Sequence, residues 1–165
     1  LELVLVSPVR SAWIIISKLI PYLVFSIVNY FSILLLARYV MHVPMIGSFL
    51  ILSLASLIFV GASLGLGLLI STISSTQQTA LLICGMGLTM PTMMFAGIIF
   101  PCESMPMALQ VVSDIIPAKW YIIIVKKIMI QGAGLMAIMP ELLVLTGMMV
   151  LLLWVSVKNF KTRLK

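Results

Sequence analysis

The chain has 165 residues, 63% hydrophobic and 8% charged, with a net charge of +6 and a mean hydropathy of +1.30. No water-soluble domain of this size hides so much apolar surface, so the composition places the chain in a membrane. The basic excess does not indicate nucleic acid, because Arg10 and Lys18 precede the apolar stretches and Lys158, Lys161, Arg163 and Lys165 follow them.

Those stretches run over Leu19–Met41, Ser48–Ile70, Ala80–Phe100 and Glu141–Val157. A helix of ~23 residues at ~1.5 Å each reaches roughly 34 Å, enough to cross a ~30 Å hydrocarbon core. Helices satisfy their own backbone inside lipid, and the short alternating segments of a barrel are absent. The expected fold is therefore all-α: a polytopic membrane protein with four transmembrane helices. Residues 1–18 read as a cytoplasmic connector, 101–140 as outer re-entrant helices and 158–165 as a basic tail. An even number of spans with basic flanks places both termini in the cytoplasm. The start at Leu1 reads as the C-terminal part of a longer protein.

In the connector, Ser7 and Pro8 have the residue types of an N-cap and first helical position, with Trp13 near the interface. The first span carries Ser26, Asn29 and Ser32 on one helical face. Two readings stand for them: interhelical hydrogen bonding, or a polar stripe along a substrate path. Arg38 and His42 end the span, where their heads reach the interface by snorkelling. A tight turn around Pro44 leads into the second span. There Gly61 and Gly65 form a small-xxx-small pattern, with Gly67 beside them, that admits a close helix neighbour.

Ser71–Thr79 is an uncharged turn that makes spans two and three a hairpin. The third span carries Thr89 and Pro91, the proline freeing a carbonyl one turn earlier and bending the helix, either as packing or as a hinge. Cys84 and Cys102 form no framework and lack metal-ligand spacing. Between Pro101 and Met139, prolines and glycines divide an apolar region into pieces too short to cross, such as Met107–Ile116 and Tyr121–Ile130. These read as re-entrant or interfacial helices. Glu141 then opens the last span, where the helix dipole favours an acid.

No phosphate-binding loop or HExxH occurs, which removes a P-loop ATPase and a zincin. The acids Glu2, Glu103, Asp114 and Glu141 fall at or outside the expected membrane boundaries. A carrier that moves a coupling ion commonly needs an intramembrane charge, so an external energy source is expected.

The segments LELVLVSPVRSAWIIISKLIPY, LGLGLLISTISSTQQTA, FAGIIFPCESMP and IIPAKWYIIIVKKIMIQGAGL resemble, in that order, segments of ABC-2 type transporter permeases. The resemblance implies the membrane subunit of an ATP-driven exporter, forming the translocation path for a partner ATPase subunit that holds ATP and Mg. It also implies a second permease subunit, a bacterial inner membrane, and no cofactor in this chain. Glu2, Leu3, Ser7, Pro8 and Arg10 then correspond to the ATPase contact. Ser26, Asn29, Ser32, Thr89 and Pro91 are the candidate path, and Pro101–Gly134 narrows the exit. Lys119-Trp120 departs from the family's usual pair after the proline.

Overall fold

A computed structural model describes residues 11–96 and 106–162, so the connector residues Glu2, Leu3, Ser7, Pro8 and Arg10 lie outside the described residues, as do Cys102 and Glu103. The described residues fold into helices with no strand. Helix α1 (Ser11–Leu35) runs on through a π-turn at Leu36–Val40. Helix α2 spans Phe49–Ile73, and α3 covers Gln77–Phe95 with a π-helical segment at Ile83–Thr89 inside it. Two short helices follow, α4 (Met107–Asp114) and α5 (Pro117–Met129), and then the long α6 (Leu135–Thr162). Four segments are long and apolar enough to cross a membrane: Leu19–Val40, Phe49–Ile73, Gln77–Phe95 and Leu135–Asn159. The molecule is an all-α polytopic membrane protein.

Local chemistry sets the helix ends. His42 takes a left-handed φ of 51° and stops α1, a conformation for which histidine is among the tolerated side chains. Between α2 and α3 the connection is shorter than the polar run Ser71–Thr79, because both helices consume its ends. Thr76 caps α3, its hydroxyl accepting from the Thr79 amide at 3.2 Å and pairing with the Thr79 hydroxyl at 2.8 Å.

The last span starts six residues before the expected Glu141, at Leu135. Pro140 does not end the helix, although it removes one backbone donor. Beside it, Lys127 donates from Nζ to the Ala137 carbonyl at 3.2 Å and to Glu141 Oε1 at 2.6 Å. Glu141 is thus a paired carboxylate in the second turn rather than an acid at the helix terminus.

Helices α2 and α6 pack side by side and run in the same direction. Gly61 and Gly65 face α6: a Cβ on Gly61 would sit 2.6 Å from Met149 Sδ, and one on Gly65 3.2 Å from Leu152 Cβ. Ser156 donates to the Gly65 carbonyl at 2.8 Å, so the small residue exposes backbone to a partner helix. Gly67 departs from this pattern and meets nothing within 4 Å, because it lies on another face of α2.

The core lies at the end of the bundle where α1 ends and α2 and α6 begin, here termed the distal end. It joins Leu34 of α1, Leu52 and Ala55 of α2, Ile124 and Ile128 of α5, and Ile138 and Leu145 of α6. Helix α5, too short to span at ~1.5 Å per residue, is held there by three longer helices. Leu34 is the one buried residue of the Leu19–Val40 span and no residue of the Gln77–Phe95 span is buried, so most of the apolar surface of α1 and α3 looks outward.

Candidate translocation path and distal gate

The expected polar stripe divides on inspection. Ser26 is half-buried, while Asn29 and Ser32 are exposed, and Ser32 donates to its own helix at the Val28 carbonyl, 2.9 Å away. The interhelical bond from α1 comes instead from Tyr30, whose hydroxyl lies 3.1 Å from Ser53 Oγ on α2. A phenol reaches across a helix interface where a serine on the same turn falls short. Thr89 and Pro91 sit on α3, and no hydrogen bond among the described residues joins them to Ser26, Asn29 or Ser32.

Near the other end of the bundle, α1 and α2 diverge around a cleft of about 830 Å³. Tyr22, Phe25 and Leu68 give it apolar walls, and the hydroxyls of Ser17, Ser63 and Ser71 stand along it. Gly67 borders this cleft, which explains why a Cβ there meets nothing. A mostly apolar pocket with a few separated hydroxyls suits an amphipathic guest.

Pro91 follows the π-segment of α3. A proline within a helix lacks the amide for its preceding turn, and the wider π-turn changes which carbonyls are paired. The Met90 amide bonds Gly85 O, and Thr89 Oγ1 donates to the Cys84 carbonyl at 2.9 Å. The sequence pointed to a bend at Pro91; the structure spreads the irregularity over the seven residues before Met90.

The candidate distal gate, α4 and α5, is tied to the bundle by specific bonds. Ser113 on α4 donates to the Phe95 carbonyl at 2.6 Å, tying α4 to the end of α3. Trp120 Nε1 donates to the Asp114 carbonyl at 2.9 Å, and Lys119 pairs with the Asp114 carboxylate at 2.5 Å. These bonds brace the α4–α5 corner, the place where Lys119-Trp120 departs from the family's usual residues. Tyr121 then fixes α5 to α2: its hydroxyl lies 2.9 Å from Ser56 Oγ, and its ring stacks on Phe59 at 4.3 Å. Past α5 the chain turns at Gly132, φ 64°, over which Ile46 packs.

Tyr121, Ser56, Lys127 and Glu141 were not singled out for these contacts by the sequence. The Lys126-Lys127 pair inside an apolar run was the one available signal, since a lysine there needs a partner. Nothing local identifies that partner as Glu141.

The sequence model of the ABC-2 type transporter family matches residues 1–130. The chain belongs to this family. It is similar to the probable multidrug ABC transporter permease YbhS of Escherichia coli K12, 29% identical over 99% of this chain and 44% of that protein. Similarity also extends to YbhR, the probable multidrug ABC transporter permease of the same organism, 32% identical over 82% of this chain and 36% of that protein. ABC transporter G family member 20 of Dictyostelium discoideum is 32% identical over 77% of the chain and 17% of its own length. The ABC-2 chain therefore spans less than half the length of these relatives. No solved structure matches it.

Proposed function

We propose that this chain is the membrane-spanning part of an exporter permease that lines the translocation path and is driven by a separate ATPase subunit. The carrying observation is ABC-2 membership over residues 1–130 in a chain with four spans and no phosphate-binding loop. Two permease domains pair in this reading, ATP and Mg reside on the partner subunit, and Glu2–Arg10 receives its motion. The names of YbhS and YbhR, and the hydroxyl-dotted apolar cleft between α1 and α2, support amphipathic compounds as the substrate class. Both termini face the cytoplasm of a bacterial cell, consistent with the basic flanks.

One observation favours a second reading, an ion-driven carrier: Glu141 lies inside the last span, with its Oε2 buried and unpartnered. The same experiment separates the two. The full-length protein and its co-purifying ATPase are reconstituted in proteoliposomes, and efflux of a fluorescent amphipathic dye is followed. ATP-dependent flux, lowered when Pro8 or Arg10 is changed while the complex still forms, supports the permease. Flux that follows a proton or sodium gradient without ATPase supports the carrier. A stable complex with no flux under either condition identifies a membrane anchor.

A further inference from the structure

At the distal end, a second cleft of about 450 Å³ opens between the end of α1 and the start of α2, with α5 as its floor. Its walls include Phe31, Tyr39, Met45, Phe49 and Met129, and the charged group on its lining is the guanidinium of Arg38. The π-turn at Leu36–Val40 carries this arginine, the wider turn closing through Met41 N to Leu36 O at 3.0 Å.

Arg38 has no carboxylate partner among the described residues. The two described acids are engaged elsewhere, Asp114 with Lys119 and Glu141 with Lys127. The nearest recorded partner of the guanidinium is Met45 Sδ, at 3.9 Å, a weak acceptor. A guanidinium stays charged at every physiological pH and binds oxyanions through paired N–H donors. It stands near the end of a membrane span, where its head meets the polar interface while the cleft beneath remains among apolar side chains.

We infer that this cleft binds an acidic phospholipid, with the phosphate on Arg38 and part of an acyl chain between α1 and α2. A free anion makes no use of the aromatic and methionine walls. A zwitterionic lipid brings its own cation to compete for the phosphate. The inference depends on α1 spanning the membrane, and holds whether or not the chain transports anything.

The test uses the full-length protein with its native subunits, in nanodiscs of phosphatidylcholine containing a photoactivatable phosphatidylglycerol. Labelling is expected on peptides holding Met45, Phe49 and Met129. It falls about tenfold in Arg38→Gln, the weight of one charge-assisted contact, and recovers in part in Arg38→Lys. Met45→Trp, which fills the cleft and keeps the charge, lowers it as well. Equal labelling by photoactivatable phosphatidylcholine, or labelling indifferent to both Arg38→Gln and Met45→Trp, overturns the proposal. So does displacement by millimolar inorganic phosphate, which identifies a free-anion site. Cross-links from the cleft to another protein segment in place of lipid also overturn it. If a variant aggregates, the comparison of the two lipids on the unmodified protein decides.

Discussion

The Tyr121 hydroxyl lies 2.9 Å from Ser56 Oγ, joining a short distal helix to the first third of a span sixty-five residues earlier. Ser56 also donates to the Leu52 carbonyl at 2.8 Å, and the two oxygens form a small polar chain inside an apolar core. The ring beneath that hydroxyl stacks on Phe59 with planes 4° apart. Position is therefore held by a large apolar contact and refined by one hydrogen bond.

Tyr121→Phe keeps the stack and removes only the hydroxyl, leaving Ser56 bonded to its own helix. The expected loss is about 0.6 kcal/mol, the average for interhelical bonds in membrane proteins. Tyr121→Ala also removes the half-buried ring and costs more, up to about 3 kcal/mol, the low end for truncating a buried aromatic. Thermal unfolding in detergent checks both, with Tyr121→Phe within a few degrees of the parent. A large loss in Tyr121→Phe would assign the hydroxyl more than a refining role.

Lys127 and Glu141 join α5 to α6 at 2.6 Å, with the glutamate side chain 13% exposed and the lysine 30%. Removing either charge strands the other in a poorly solvated place. Lys127→Met is expected to destabilise by about 1–3 kcal/mol, the cost of an unsatisfied buried group. The pair replaced together, Lys127→Met with Glu141→Leu, should recover most of that loss, because buried ion pairs seldom outperform apolar packing. Unfolding midpoints of the two variants and the parent form the check; a double variant as weak as the single one would assign Glu141 a further task.

The spans at Leu19–Val40 and Phe49–Ile73 were legible because a long run without charges has few other solutions. The start of the last span was not, because Pro140 and Glu141 together look like a boundary. The glutamate is accommodated by Lys127, which reaches it only once α5 and α6 are packed. Ser26, Asn29 and Ser32 lie on α1, but helical spacing does not tell which face meets a neighbour. Tyr30 won the contact through reach. The Phe59–Tyr121 stack joins parts of the chain too distant for any local pattern to connect.

The glycines of α2 should rank by what their missing Cβ would meet. A methyl on Gly61 approaches the flexible end of Met149, which turns aside at little cost. On Gly65 it presses on Leu152 Cβ at 3.2 Å and the Leu153 amide at 3.3 Å, where backbone cannot yield easily. Gly67→Ala has open space, and alanine is the better helix former by about 1 kcal/mol. The expected order of unfolding midpoints is Gly67→Ala at or above the parent, then Gly61→Ala, then Gly65→Ala. Gly65→Leu should lose at least about 1–3 kcal/mol by overpacking. A Gly65→Ala protein as stable as Gly67→Ala would contradict the close approach of α2 and α6.

Pro91 offers the clearest link from sequence to motion. The π-segment Ile83–Thr89 lies immediately before the last turn of α3, and Thr89 Oγ1 supports it from the Cys84 carbonyl. Alanine at position 91 restores a backbone donor and removes the clash with the preceding turn, a penalty of about 3 kcal/mol in a helix interior. Part of that penalty is already relieved by the π geometry, so a smaller gain is expected. Pro91→Ala should raise amide protection over Gly85–Phe95 by about tenfold, equivalent to ~1.4 kcal/mol of local stability. Hydrogen exchange followed by mass spectrometry reads this directly. If α3 bends during transport, the same variant slows ATP-driven flux while its assembly with the ATPase is unchanged. Higher protection with unaltered flux would leave Pro91 as a packing feature, and unchanged protection would show that the π-segment does not arise from the proline.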